Sequence, residues 1–254
     1  MLLQKNDTPA IAARRIISMV PSITELLHYF NLEEETIGIT KFCVHPSQWF
    51  RSKPRVGGTK TVNIAAIQKL QPDLVIANKE ENVKDQVEEL AKEFTVLLTD
   101  VDTVEEALQM IQQVGDCCGK TSAAMQLVSD IQKAFAGIPV SVKPVNTAYL
   151  IWNKPYMAAG GGTFINDMLL KAGMQNVFSH KERYPEVTAA QIQEAGCELL
   201  LLSSEPYPFK QKHIDELQPL LPGTKILLAD GEMFSWYGNR MLHFPEYLKA
   251  LRRE

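Results

Sequence analysis

The chain has 254 residues, with 26 Lys plus Arg against 30 Asp plus Glu, a formal charge of −4 and 45% hydrophobic residues. That apolar content offsets chain entropy and excludes a disordered chain, and the mildly acidic balance excludes a general nucleic-acid binder. No apolar run approaches the roughly 18 to 20 residues a membrane-spanning helix needs, so no span is expected.

In chain order, the start MLLQKNDTPAIAARR interrupts its apolar residues with Lys5, Asn6 and Asp7, so the sequence as written carries no secretory leader. The apolar run Ile16 to Val20 predicts a strand. It meets Pro21, and Ser22 followed by Glu25 three residues later reads as a capping box opening a helix. Further strands are predicted near Thr36 to Ile39, at Leu74 to Ala77 and at Phe94 to Thr99, with helices from about Asn63 and through Val83 to Lys92 between them. Thr103-Val104-Glu105-Glu106 is a second capping box. It opens a long helical stretch with Leu108, Ile111 and Val114 on one face, and the spacing resumes after Gly119 at Ala124, Leu127, Val128, Ile131 and Phe135. Alternation then returns with strands at Ala148 to Trp152, Leu199 to Leu202 and Ile226 to Ala229. Helices are predicted at Thr163 to Lys171, Thr188 to Ala195, Gln211 to Leu217 and at the C-terminus.

Strands alternating with helices predict an α/β fold with parallel pairing. The expected organisation is two Rossmann-like lobes with mainly parallel sheets, residues 1–118 and 140–254, joined by a connecting helix over 119–139. The lobes also repeat each other. Val62 to Gln68 can be laid without gaps on Val187 to Gln193, and the same offset of 125 carries Asp73 to Ile76 onto Glu198 to Leu201 and Glu80 onto Glu205. A polar cap, an amphipathic helix, a buried strand and an acidic residue in one register argue for pseudo-symmetric lobes.

Enzyme motifs are missing from the sequence. Gly115 to Thr121 resembles a phosphate loop, but three residues separate its glycines where the motif has four, and it follows a helix. Gly160-Gly161-Gly162 lacks dinucleotide spacing, and the five histidines have no ligand partner at helical spacing. Cys43, Cys117, Cys118 and Cys197 lack the spacing of a zinc site and read as buried free thiols. No catalytic residue, resident cofactor or metal site is expected. What accumulates is recognition chemistry on the loops after strands, where open parallel sheets bind ligands. Phe42, Cys43 and His45 follow the second strand, Trp152 ends and Tyr156 follows the first strand of the second lobe, and Trp236, Tyr237 and Arg240 follow the last. Rings beside an Arg suit a large, flat, partly charged ligand. Arg240, at a helix start, calls for an anionic neighbour or ligand.

The stretches Arg15 to Glu25, Val56-Gly57-Gly58, Gln71 to Ala77, Tyr184 to Val187, Ser203 to Pro206 and Trp236 to Arg240 resemble a known family over nearly the whole chain. It is the family of substrate-binding proteins of ABC importers for cobalamin and ferric chelates, whose lobes are joined by one long helix. The likeness is closest to the cobalamin-binding branch and to the helical-backbone metal receptors. The resemblance implies capture of a corrinoid or other metal chelate, such as haem or a ferric siderophore, in an inter-lobe cleft for delivery to an ABC permease. It places Phe42 to Pro46, Asn78, Trp152 to Tyr156 and Trp236 at that cleft; where cobalamin-holding members tend to have aromatic residues, this chain has His45 and Asn78. It also implies that Glu80 and Glu205 dock the permease without contributing to ligand affinity, with Glu81 an alternative to Glu80. A monomer outside the cytoplasmic membrane is expected by resemblance. A leaderless chain would instead be a cytosolic sensor, chaperone or scavenger, and an enzyme acting on the captured cofactor is the more distant reading.

Overall fold

A computed structural model describes residues 1–5, 7, 11–139 and 143–253. The chain divides into two compact units, the first formed by 1–101, 105–131 and 237–240, the second by 102–104, 132–236 and 241–254.

The first unit is built on a five-stranded sheet. Its elements are β1 (Leu2–Leu3), β2 (Ile16–Ser18), α1 (Pro21–Tyr29), β3 (Thr36–Ile39), α2 (Ser47–Ser52), α3 (Ile64–Leu70), β4 (Leu74–Asn78), α4 (Lys84–Ala91), β5 (Val96–Thr99), α5 (Val104–Cys117) and α6 (Thr121–Ala136). All strands are parallel in the order β1-β5-β4-β2-β3. Every residue of β2 and β4 is buried, as both-face coverage of a parallel sheet requires. Ile17, Val75, Val87, Leu90 and Val96 form much of the core.

The second unit carries β6 (Val145–Trp152), β7 (Tyr156–Ala158), α7 (Phe164–Lys171), β8 (Met174–Asn176), β9 (Glu186–Val187), α8 (Ala189–Glu194), β10 (Leu199–Ser203), α9 (Gln211–Leu217), β11 (Lys225–Ala229), α10 (Gly231–Ser235) and α11 (Phe244–Leu251). Strand β10 pairs in parallel with β6 and β11, and β8 in parallel with β6. Strands β7 and β9 add an antiparallel edge that hydrophobic patterning did not reveal, because strands of two and three residues are too short to show a period.

The internal repeat is realised in register. Adding 125 to the limits of β4, Leu74 and Asn78, gives Leu199 and Ser203, the limits of β10. The helices preceding these strands are capped at equivalent positions, Asn63 Oδ1 accepting from Ala66 N–H and Thr188 Oγ1 from Gln191 N–H. In both units this strand is interior to its sheet, flanked in parallel by β2 and β5 or by β6 and β11.

The long helical stretch is two helices. Helix α5 ends before Gly119, whose φ of +67° suits a glycine, and α6 lies within the 119–139 stretch, its Ile131 the last residue of the first unit's share. Ala124, Leu127 and Ile131 are buried, whereas Phe135 stacks on Phe244 in the second unit at 5.7 Å. Gly115 sits inside α5, where a Cβ would lie 2.3 Å from the Ala124 Cβ; its glycine serves close helix packing and not a phosphate loop.

The Ser22 capping box does not form: α1 starts at Pro21, with Val20 at the N-cap and no side-chain cap bond. Proline fits the first helical position because its missing N–H has no intrahelical partner. Glu25 instead accepts two bonds from Arg240, Nε to Oε2 at 2.9 Å and Nη2 to Oε1 at 2.8 Å, from 215 residues away. The side chains are 14% and 19% exposed, so this planar pair is largely withdrawn from water. Segment 237–240 thereby belongs to the first unit, with Tyr237 hydrogen-bonded to the Ser22 and Thr99 side chains. Removing one partner strands a charge, so Arg240→Ala is expected to cost about 2 to 3 kcal/mol in urea unfolding. Glu25→Ala/Arg240→Ala should recover part of that loss, and an additive double mutant would show that the pair contributes no coupling.

Candidate functional site

The carboxyl ends of the two equivalent interior strands, β4 and β10, are finished by a buried polar residue that shapes the following loop. In the first unit Asn78 makes four hydrogen bonds. Nδ2 donates to Thr99 O (3.2 Å) and Thr99 Oγ1 (3.1 Å), and Oδ1 accepts the N–H groups of Glu80 (2.8 Å) and Glu81 (3.1 Å). These use the full capacity of a carboxamide, so Asn78, expected at the ligand, is spent on holding its own loop. Asn82 continues the lock, its Oδ1 accepting from Asn78 N–H and its Nδ2 donating to Thr59 O.

At the equivalent position in the second unit, Ser203 Oγ donates to Glu205 O at 2.5 Å and accepts from the Tyr149 hydroxyl at 3.1 Å and from Glu205 N–H at 3.3 Å. The next residues also match: Lys79 N–H donates to Thr99 O and Ser204 N–H to Ala229 O, both at 2.9 Å. Glu80 and Glu205 thus emerge from similar turns. Both are half-buried. Lys60 Nζ donates to the Glu80 carbonyl at 2.5 Å, while Glu205 Oε1 accepts from Ser235 Oγ (2.9 Å) and Trp236 Nε1 (2.8 Å).

The remaining ligand candidates divide by exposure. In the first unit Phe42 is 50% exposed on the loop after β3, under the Lys41 ammonium at 5.1 Å from its centroid, and His45 is half-buried. Cys43 is fully buried against Thr40 Oγ1 at 3.2 Å, and burial raises its pKa against the opposing pull of hydrogen bonds to Thr24 and Thr40. It remains a thiol, a poor soft ligand. In the second unit Trp152 is 40% exposed and Tyr156 half-buried. Trp236 and Tyr237, although placed on a loop among Gly, Ser and Asn, are each only 7% exposed. The turn residues around them suggested solvent, but the Glu205 carboxylate and the Ser22 and Thr99 side chains draw the polar tips inward.

Periodicity gave no sign of the network beside Trp152. The Tyr207 ring meets Trp152 edge-on at 5.7 Å, and its hydroxyl receives Asn153 Nδ2 at 3.1 Å. Lys210 N–H donates to His213 Nδ1 at 2.8 Å, which assigns the imidazole proton to Nε2, 3.1 Å from the Tyr207 oxygen. Two donors to one phenol oxygen leave its own proton available.

Among the described residues no group of three or more His, Cys, Asp or Glu is placed to hold a metal ion, and no helix is long and apolar enough to cross a membrane. All four cysteines are free and buried.

The profile of the periplasmic binding protein family matches residues 16–219, and the chain belongs to that family. A vitamin B12-binding protein of Vibrio cholerae serotype O1 is 24% identical over 195 residues, 73% of this chain and 70% of that protein. Among solved structures, a periplasmic haem-binding protein of Vibrio cholerae matches with a TM-score of 0.80 at 18% identity, covering 94% of this chain and 99% of that one. A periplasmic vitamin B12-binding protein of the same species matches with a TM-score of 0.74 at 20% identity, covering 96% and 99%. The fold is the α/β fold of helical-backbone periplasmic binding proteins.

Glu81 offers a test of the first loop's electrostatics. Burial, then the Glu80 charge, raises its carboxyl above the ordinary 4.5, with Lys60 opposing. The folded chain therefore holds this proton more tightly than the unfolded chain. Its stabilising contribution is complete below 4.5 and is lost as pH rises through the raised value. Glu81→Gln is expected to raise the urea midpoint at pH 7, and the gain should vanish below pH 4.5. Equal gains at both pH values would assign the effect to packing.

Proposed function

We propose that this chain is the substrate-binding component of an ABC importer for a corrinoid or another metal chelate, contacted by residues at the carboxyl ends of its strands. The observation that carries this reading is the exposure of one large ring at the carboxyl end of a strand in each unit, Phe42 on the loop after β3 and Trp152 at the last position of β6. Exposed rings cost hydration that a flat apolar ligand relieves. His45 and Tyr156 flank these rings as polar and aromatic contacts. Cys43, Asn78 and Arg240 support the loops through bonds within their own unit, and Trp236 is fixed by Glu205. Relatives that bind vitamin B12 or haem support the chelate class, and membership of a periplasmic family supports action outside the cytoplasmic membrane. Glu80 and Glu205, on equivalent turns, are the carboxylates for docking to permease cations.

The test is spectroscopic. Chain purified from its native source should carry a chromophore whose mass and visible spectrum identify a corrinoid, haem or a ferric chelate. Cyanocobalamin and haemin titrations should give saturable binding by one of them, weakened about tenfold by Trp152→Ala and by Phe42→Ala, as truncation of a buried contact ring implies. Failure of a purified chromophore and both titrants to bind would remove the proposal.

A further inference from the structure

Glu205 has a second task that its assignment to docking does not include. Its Oε1 accepts from two donors on one short segment, Ser235 Oγ at 2.9 Å and Trp236 Nε1 at 2.8 Å. Ser235 Oγ also lies 2.8 Å from Gly231 O, so its single proton is shared between that carbonyl in α10 and the carboxylate. The approach is close. A Cβ on Gly231 would lie 2.5 Å from Glu205 Cγ and 2.6 Å from Ser203 Oγ, so α10 reaches the carboxylate only because this residue has no side chain. Trp236 is also the last residue of the second unit before Tyr237 joins the first. The carboxylate thus grips the chain at the passage between units.

We propose that Glu205 is a positioning residue, holding Trp236 and this passage in the geometry that retains ligand. One carboxylate then serves both ligand retention and permease docking, and a docking cation that draws it away loosens the ligand. The inference rests on the substrate-binding reading above, and its test keeps the two separate.

Glu205→Ala, Glu205→Gln, Trp236→Phe and Glu80→Ala are compared in two measurements: exchange of the Trp236 indole proton followed by NMR in the empty chain, and dissociation constants for cyanocobalamin and haemin. Glu205→Ala should speed indole exchange and weaken the bound titrant, each about tenfold, the effect of losing hydrogen bonds to a charged acceptor. Glu205→Gln keeps an acceptor oxygen without the charge and should stay within about threefold of the native chain in both. Trp236→Phe should weaken binding as Glu205→Ala does, and the double variant should lose no more than either alone. Glu80→Ala should leave both measurements unchanged. Native exchange in Glu205→Ala would overturn the inference, as would native affinity in that variant or additive losses in the double variant. If neither titrant binds the native chain, the functional reading falls, and native indole exchange in Glu205→Ala still overturns the grip while faster exchange upholds it.

Discussion

A polar side chain buried at the carboxyl end of an interior parallel strand organises each unit. Parallel strands surrounded by apolar residues must end somewhere, and the N–H groups two residues past the end lie beyond the ladder. Asn78 and Ser203, 125 residues apart, answer that need with side-chain oxygens that accept the N–H two residues on. Both turns are fixed from below, leaving the upper surface for acidic and aromatic side chains. Without such anchors the loops would sample many conformations, and a ligand would have to order them on binding.

The anchors redistribute the roles of the surrounding residues. Asn78 reads from sequence as a ligand contact, yet every polar atom of its amide is occupied. Arg240 reads the same way, yet its guanidinium faces Glu25. What remains exposed is simpler: Phe42 on one unit and Trp152 on the other, each backed by a polar arrangement that holds its loop. A rigid scaffold presenting apolar rings favours ligands that are themselves rigid and flat, because little entropy is lost on either side.

Local patterning read the strands and the repeat well, since both depend on residues close in sequence. The limits of β4 and β10 follow from the 125-residue offset, and Asn63 and Thr188 are caps in the structure as in the pattern. Interactions across long sequence distances were not legible. Ser22 and Glu25 have the spacing of a capping box, but Pro21 occupies the first helical position and Arg240 claims Glu25. The burial of Trp236 has the same origin: its flanking Gly, Ser and Asn suggest a turn in water, and only the fold brings Glu205 to the indole. The Tyr207–His213 pair and the short antiparallel edge β7–β9 have no periodic signature at all.

Amide hydrogen exchange at Glu80 and Glu205 tests the shared anchor most directly. Both lie in loops outside the helices and strands, where unanchored amides exchange at nearly the rate of an open chain. The account predicts protection at both positions, lost at residue 80 in Asn78→Ala and at residue 205 in Ser203→Ala, each without effect on the other. Exchange at the open-chain rate in the native protein would contradict it.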